Sequence, residues 1–250
     1  MEFNQEKSHI IIYNNEELRI ININPFKLVC LINDLPKIKI ARMLYRSNLI
    51  FYVGDDIQNE DSQSNFTPNI LNIYDDAKKE IIDNVKLNSQ ILDVQIIKNY
   101  ISLLSDKFVH IYKLDNLKNY IYKFEVCNNN FLLSEEIFVY MEHNKKSKSS
   151  EVIKIFNLDN AKSIKIKAHE NKIKYLALNN KSTQLATSSE KGTIIRIFNT
   201  HNGEKLCEFR RGMNSSNIQD IVFSQDSNYL AVLSDRGTIH IYNLINLSVN

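Results

Sequence analysis

Glycine and proline are scarce in this chain, which has 5 and 3 of them among 250 residues. Because these residues usually punctuate loops, most turns must be built from Asn, Asp and Ser. Tryptophan is absent altogether. The 43% of hydrophobic and 24% of charged residues are nevertheless typical of a globular protein. The length suits one large domain, and we predict a single domain over 1–250.

Cysteine and net charge are low as well. Cys30, Cys127 and Cys207 are odd in number and widely spread, which excludes a disulfide framework and predicts buried, reduced thiols. A net charge of +2 argues against nucleic acid as a partner, so any basic site must be local. No stretch approaches the ~18 apolar residues of a membrane span, and the N-terminus lacks the regions of a signal peptide. We therefore expect a cytoplasmic protein that contacts membranes only peripherally.

Motifs that would indicate an enzyme are missing. There is no G-x-x-x-x-G-K-[ST] loop, G-x-G-x-x-G turn, G-x-S-x-G elbow or H-E-x-x-H helix. No Cys/His cluster has zinc spacing, and no carboxylate pair has a recognisable acid/base context. We predict no catalysis, no cofactor and no metal.

A short strand that ends in an aromatic residue recurs along the chain and predicts the fold. From Tyr74 to Tyr242 its spacing stays near the ~40–45 residues of a propeller blade. The copies read LRIININ, LNIYDD, VHIYKLD, IKIFNLD, IIRIFNT and IHIYNLI. Each follows β-rich runs whose apolar residues alternate at period two, whereas no segment sustains a helical stripe. We predict an all-β propeller with repeat units near 1–33, 36–83, 86–126, 128–168, 169–211 and 213–250, the last incomplete.

Two polar stretches interrupt this pattern. Residues 55–69 are acidic and poor in aliphatic side chains, so they predict a loop inside the second unit. Residues 142–151 predict a shorter loop in the fourth unit, whose lysines are most simply a solvated tip.

The sequence Phe209-Arg210-Arg211-Gly212 joins the fifth and sixth units. Successive side chains of an extended backbone point to opposite sides, so each arginine can serve a different pocket. A guanidinium binds phosphate oxygens bidentately, which a lysine does less well. The dipeptide therefore predicts a double anion site.

The surrounding residues resemble the PROPPIN family of phosphoinositide-binding propellers. The resemblance rests on Ala168-His169, SEKGT with IRIFNT, FRRG and SDRGTIHIYNL, and reaches back more weakly to NPFK and ARMLYRSNLIFYVG. It implies a WD40-like β-propeller, although Phe or Tyr before Asn or Asp replaces the WD dipeptide. Family members close seven blades and this chain offers about six, so we expect a truncated form. The alternative is a genuine six-bladed ring closed by the N-terminal strand.

The resemblance also implies two lipid-binding pockets. The first would consist of His169, Thr187, Ser189, Thr193, Arg196 and Arg210, and the second of Arg211, Ser234, Thr238 and His240. Guanidinium, hydroxyl and imidazole groups all suit phosphate oxygens, and we expect the imidazoles to become cationic at mildly acidic pH. Gly192, Gly212 and Gly237 would supply turns with positive φ.

A structural role competes with binding at several of these positions. Ser and Thr before a strand commonly stabilise hairpins, and this explanation suffices for Thr187, Ser189 and Ser234 taken alone. Arg196 alternates with Ile195 and Ile197, which by itself indicates a solvated face. The paired arginines together with His169 and His240 favour binding.

The resemblance implies a non-enzymatic reader of phosphatidylinositol 3-phosphate and the 3,5-bisphosphate that acts as a scaffold in autophagy or organelle and vesicle trafficking. It would be a monomer on preautophagosomal, endosomal or vacuolar membranes, with autophagy proteins as partners. In an apicomplexan parasite, a source that the Asn, Lys and Ile bias would fit, the membrane could be that of the apicoplast. The alternative is a generic WD40-type protein scaffold without lipid binding.

Overall fold

A computed structural model describes residues 1–14, 17–33, 37–55, 67–127, 130–143 and 151–245. Within these ranges every regular element is a β-strand. The strands form antiparallel sheets, of which five have four strands and one has three. The all-β prediction is confirmed, and within the described residues the last sheet has three strands. No helix in the described ranges could cross a membrane.

The first three sheets belong to one compact unit, Met1–Glu125. In each sheet the strands are neighbours in chain order. The first sheet contains β1 (Glu2–Phe3), β2 (His9–Tyr13), β3 (Glu17–Asn22) and β4 (Lys27–Asn33); the second contains β5 (Ile38–Met43), β6 (Leu49–Gly54), β7 (Ile70–Asp75) and β8 (Glu80–Lys86); the third contains β9 (Ile91–Ile96), β10 (Tyr100–Ser105), β11 (Phe108–Lys113) and β12 (Tyr122–Glu125).

The other three sheets belong to a second compact unit, Val126–Asn250. The fourth sheet contains β13 (Phe131–Leu133), β14 (Ile137–His143), β15 (Glu151–Asn157) and β16 (Ser163–Ile166); the fifth contains β17 (Ile173–Leu178), β18 (Gln184–Ser189), β19 (Ile194–Asn199) and β20 (Lys205–Arg210); the sixth contains β21 (Ile218–Phe223), β22 (Tyr229–Ser234) and β23 (Ile239–Asn243). Each sheet lies within one predicted repeat except the second, whose strand β8 runs to Lys86, past the predicted end at residue 83. A single domain over 1–250 stays a prediction.

The apolar core of each unit lies between successive sheets. In the first unit, one cluster joins Phe51 of the second sheet to Leu103 of the third. In the second unit, Val139 of the fourth sheet shares a cluster with Leu185 of the fifth. Every residue of β10 and β18 is buried. The predicted alternation therefore fails on these two strands, because apolar neighbours cover both faces, but it is seen on the outer strand β12.

Asp, Ser and Asn contribute to the turns as predicted, but by two different means. In the described ranges, positive φ falls on no Asn and on several other residues besides glycine: Lys7, Tyr45, Lys79, Asp106, Ala161, Ser182 and Ser227. Asparagine acts through its side chain instead. The Asn179 Oδ1 accepts hydrogen bonds from the amides of Thr183 and Gln184 at 2.8 and 3.0 Å. Polar residues thus replace glycine and proline both as left-handed positions and as turn caps.

The predicted loops fall mostly outside the described residues, which exclude 56–66 and 144–150. The predicted ends of the second loop are wrong, because β14 extends to His143 and β15 begins at Glu151. None of the three cysteines, all of which lie in the described ranges, forms a disulfide bond. Cys30 is buried, but Cys127 and Cys207 are only partly buried, which corrects the prediction for those two. Burial raises the pKa of Cys30 and of Cys207 to about 11, so both thiols are protonated near pH 7.

Candidate phosphate-binding site

Arg210 and Arg211 lie where the fifth sheet ends. Arg210 is the last residue of β20 and pairs in register with Ile194 of β19. The Arg211 amide donates to the Thr193 carbonyl oxygen at 2.9 Å, which continues the ladder by one residue. The two arginines thus occupy consecutive ladder positions, and their side chains leave the backbone on opposite sides.

Backbone oxygens hold the Arg211 side chain. Its Nε donates to the Gly192 carbonyl oxygen and its Nη2 to the Asn214 carbonyl oxygen, each at 2.6 Å. Arg211 is half-buried, and in the described part of the chain it pairs with no carboxylate. Its position is therefore fixed while its positive charge stays available.

Arg210 is exposed, and among the described residues its guanidinium has no hydrogen bond or ion pair. The two arginines consequently do not converge on one carboxylate, as they would in a structural salt bridge. That they serve separate pockets stays a prediction.

His169, Thr187 and Arg196 form a buried hydrogen-bond network. His169 is 5% exposed, and its Nε2 lies 2.9 Å from the Thr187 Oγ1. The Arg196 Nη1 donates to the His169 Nδ1 at 3.3 Å and to the Ala168 carbonyl oxygen at 2.6 Å. Because a guanidinium can only donate, the Nδ1 accepts and the proton lies on Nε2.

Burial, together with the charge of Arg196, lowers the pKa of His169 to about 4. The ring is therefore neutral at mildly acidic pH, and the expectation that it becomes cationic there is wrong for His169. In this state it orders Thr187 and Arg196 and carries no charge of its own.

Arg196 also forms an ion pair that the sequence did not reveal. Its Nε lies 2.7 Å from the Glu208 Oε2, and the Lys205 Nζ lies 3.4 Å from the same oxygen. The hydrogen bond from Arg196 lowers the pKa of Glu208, so the carboxylate is ionised. The Arg196 side chain is 24% exposed, which is less than a solvated face would give. A phosphate at Arg196 would have to share it with Glu208.

Ser189 and Thr193, the other members of the first set, flank the turn between β18 and β19. Ser189 is buried, and its carbonyl oxygen accepts a hydrogen bond from the Gly192 amide at 2.9 Å. Thr193 is half-buried, and its carbonyl oxygen accepts from Arg211. Both residues thus supply backbone atoms that shape the arginine connection.

The second set lies on β22 and β23. The buried Ser234 Oγ is 2.9 Å from the Thr238 Oγ1, and Thr238 is exposed. His240 stacks on Tyr242, with ring centroids 6.4 Å apart. Tyr242 stacks on Phe209 at 4.6 Å, which joins β23 to the strand that carries Arg210. Tyr242, which the sequence marked only as a strand end of the repeat, therefore links His240 to the strand that carries Arg210.

The glycines of this region have different roles. Gly192 and Gly237 have φ of 58° and 70°, as predicted, but Gly212 is not among the residues with positive φ. A Cβ on Gly192 would overlap the Ser216 carbonyl oxygen, whereas a Cβ on Gly237 would meet no atom within 4 Å. Gly192 is therefore required by close packing as well as by φ. No group of His, Cys, Asp or Glu in the described residues could hold a metal ion.

The sequence profile of the PROPPIN family matches residues 5–250. The chain belongs to the PROPPIN family.

Among its relatives, SVP1-like protein 2 of Kluyveromyces lactis is 31% identical over 100% of this chain and 70% of its own length. Autophagy-related protein 18 of Mycosarcoma maydis is 29% identical over 97% of this chain and 58% of its own length.

Solved structures share the fold. Hsv2 of Kluyveromyces lactis superposes with a TM-score of 0.83 at 30% identity, covering 98% of this chain and 73% of that one. KlAtg21, solved in complex with the coiled-coil of AgAtg16, gives a TM-score of 0.79 at 23% identity and covers 96% and 79% of the two chains. The fold is thus a WD40-like β-propeller, related to those of autophagy proteins.

The lowered pKa of His169 makes stability depend on pH. The folded value of about 4 lies below the ordinary 6.5, so the unfolded chain binds the proton first. This contribution is complete above pH 6.5 and is lost as pH falls toward 4, by an amount on the order of 3 kcal/mol. Urea unfolding of the wild type and of His169→Gln at several pH values tests it. The variant should lose less stability than the wild type over this window, and equal losses would contradict the assignment.

Proposed function

We propose that this chain is a non-enzymatic reader of phosphatidylinositol 3-phosphate and of the 3,5-bisphosphate. The observation that carries the proposal is the pair of adjacent arginines with charges that no carboxylate of the described residues neutralises. One guanidinium is exposed and the other is held by two carbonyl oxygens. Guanidinium groups suit phosphate, because they balance its negative charge and donate hydrogen bonds to its oxygens.

The surrounding residues support two pockets of different character. The first contains Arg210 with Arg196, whose charge Glu208 already balances. The second contains Arg211 with Ser234, Thr238 and His240. In the described ranges His240 forms no ion pair, and neither does Arg211. We infer that a larger share of the positive charge in the second pocket is free to bind phosphate.

Recruitment to a phosphoinositide membrane would make the chain a scaffold for autophagy or for organelle and vesicle trafficking. Its family membership and its likeness to autophagy-related protein 18 support this role. We propose proteins of the autophagy machinery as partners, and peripheral binding of a monomer to preautophagosomal, endosomal or vacuolar membranes, or to the apicoplast in an apicomplexan.

Vesicle flotation tests the proposal. Vesicles of phosphatidylcholine with a few per cent of phosphatidylinositol 3-phosphate should carry the protein upward in a density gradient. Vesicles with the 4-phosphate isomer, which has the same charge, should carry much less, and vesicles of phosphatidylcholine alone should carry none. Equal flotation with both isomers would reduce the site to a nonspecific anion patch, and no flotation at all would refute lipid reading.

The alternative is a WD40-type protein scaffold without lipid binding, and one observation favours it. His169, Thr187 and Arg196 are fully engaged with one another and with Glu208, as a purely structural network would be. On this alternative the arginine connection only braces adjacent sheets, and none of the vesicles would bind.

A further inference from the structure

Strand register relates the third sheet to the sixth. His110 of β11 pairs with Leu103, just as His240 of β23 pairs with Val232. In both sheets a buried serine lies two residues after that partner, Ser105 in one and Ser234 in the other. The residue two positions before the aromatic strand end is polar in every sheet from the second to the sixth: Asn72, His110, Lys154, Arg196 and His240. We call this the repeat polar position.

The strand that precedes each sheet adds a second correspondence. Lys86 ends β8 and pairs with Ile70, just as Arg210 ends β20 and pairs with Ile194. Lys86 is exposed. A cation at the end of one outer strand, followed by Ser and His in the next sheet, therefore occurs twice in the chain.

A cavity of about 480 Å³ lies beside Lys86, Ser105 and His110, within the first unit. Its charged lining residues are Lys86, Lys118 and Lys123, against a single carboxylate, Asp106. The ladder partner of Arg196 is Glu208, whereas the ladder partner of His110 is Lys123. The groove of the third sheet is therefore more positive than its counterpart in the fifth.

Aromatic rings line the same cavity. The Lys123 Nζ lies 4.4 Å from the centroid of the Phe108 ring, and the His110 and Tyr120 rings meet edge to face at 5.3 Å. The His110 ring lies at the wall of the cavity, where burial and the charge of Lys123 lower its pKa. The ring is therefore neutral near pH 7 and leaves the positive charge of the cavity to its lysines.

We propose that this cavity is a third phosphate-binding site, which takes a phosphate monoester on a small polar ring such as an inositol head group. The lysines would hold the phosphate. The hydroxyls of Ser105 and Ser89 would accept hydrogen bonds from the ring hydroxyls, and Phe108 and Tyr120 would cover the ring. The volume fits a ligand of this size. The proposal rests on the proposed function, because the register argument compares this groove with the arginine pockets.

The binding of soluble inositol 1,3-bisphosphate, followed by calorimetry, tests the proposal. Lys86→Gln with Lys123→Gln should weaken binding at this site at least ~10-fold, because two charged contacts to the phosphate are lost. Lys113→Gln, an exposed lysine of the same sheet outside the cavity, is the matched control and should change nothing. Arg210→Ala with Arg211→Ala should leave one site intact.

The outcomes separate this proposal from the proposed function. If the double arginine variant binds nothing, the third site is refuted and the arginine pockets stand. If it binds at one site that Lys86→Gln and Lys123→Gln abolish, the third site is supported. Vesicles with phosphatidylinositol 3-phosphate, offered to the double arginine variant, show whether a lipid can reach the cavity or only a soluble head group. Lysine-dependent binding of an oligoglutamate peptide without binding of the inositol phosphate would overturn the proposal in favour of an acidic protein segment.

Discussion

Replacing either Arg210 or Arg211 with alanine should lower recruitment to phosphatidylinositol 3-phosphate vesicles by up to ~10²–10⁴-fold. Each pocket alone is small and mainly electrostatic, so each binds a soluble head group weakly. A membrane offers many head groups at high local concentration, and two pockets filled together gain avidity. The loss on vesicles should therefore far exceed the loss of head-group affinity at the untouched pocket.

Replacing both arginines should abolish vesicle recruitment altogether when Lys86→Gln and Lys123→Gln also remove the proposed third site. Flotation of vesicles, or surface plasmon resonance on immobilised vesicles, gives the avidity. Calorimetry with the soluble head group gives the affinity of each pocket. The titrations are best done with Lys86→Gln and Lys123→Gln present, so that only the arginine pockets are counted. Arg46→Ala removes the same charge from an exposed arginine of the first unit and serves as the control.

Two results would contradict the two-pocket arrangement. One is a single head-group site that survives the loss of either arginine. The other is an equal loss on vesicles and in solution, which would show that avidity plays no part. Raised salt should release the wild-type protein, because exposed phosphate contacts are screened over about 8–10 Å at 0.1–0.15 M ionic strength.

Substitution of Gly192 by alanine should be the most damaging single change near the site. Its φ of 58° costs an L-residue roughly 1–2 kcal/mol, and the overlap of a Cβ with the Ser216 carbonyl oxygen forces a backbone shift worth about 1–3 kcal/mol more. The Gly192 carbonyl oxygen also holds Arg211, so the variant should lose head-group affinity as well as stability.

Gly237→Ala is the matched control for this change. Its φ of 70° imposes similar strain, but open space surrounds the added methyl group. Urea unfolding should therefore show a loss for Gly192→Ala that exceeds the loss for Gly237→Ala by at least ~1 kcal/mol. Similar losses in the two variants would mean that φ alone explains the requirement for glycine at 192.

The sequence predicted the repeat well, because one aromatic strand end marks each unit from Tyr74 to Tyr242. It could not predict that β10 and β18 are buried on both faces, since that depends on which sheets pack together. The polar residues of β18, such as Thr187 and Ser188, disguise its burial. A period-two pattern of apolar residues predicts that one face of a strand is buried, but it does not predict whether the other face is buried as well.

The site was predicted unevenly for a similar reason. Adjacent arginines are visible in the sequence, but the Glu208 that neutralises Arg196 lies across a strand pair whose register must be known first. The pKa of His169 depends on burial and on Arg196, neither of which its neighbours in sequence reveal. The brace of Arg211 consists of carbonyl oxygens, and backbone atoms leave no mark in a sequence.

The repeat polar position has a consequence for how such a protein diverges. The ladder hydrogen bonds around Asn72, His110, Lys154, Arg196 and His240 involve only main-chain atoms, and a β-sheet tolerates each of these side chains there. A point mutation at this position changes the chemistry of one groove but keeps the main-chain hydrogen bonds of the sheet. After duplication of an ancestral unit, selection could therefore act on each groove separately, and the chain carries several copies of one strand position whose side chain can vary independently.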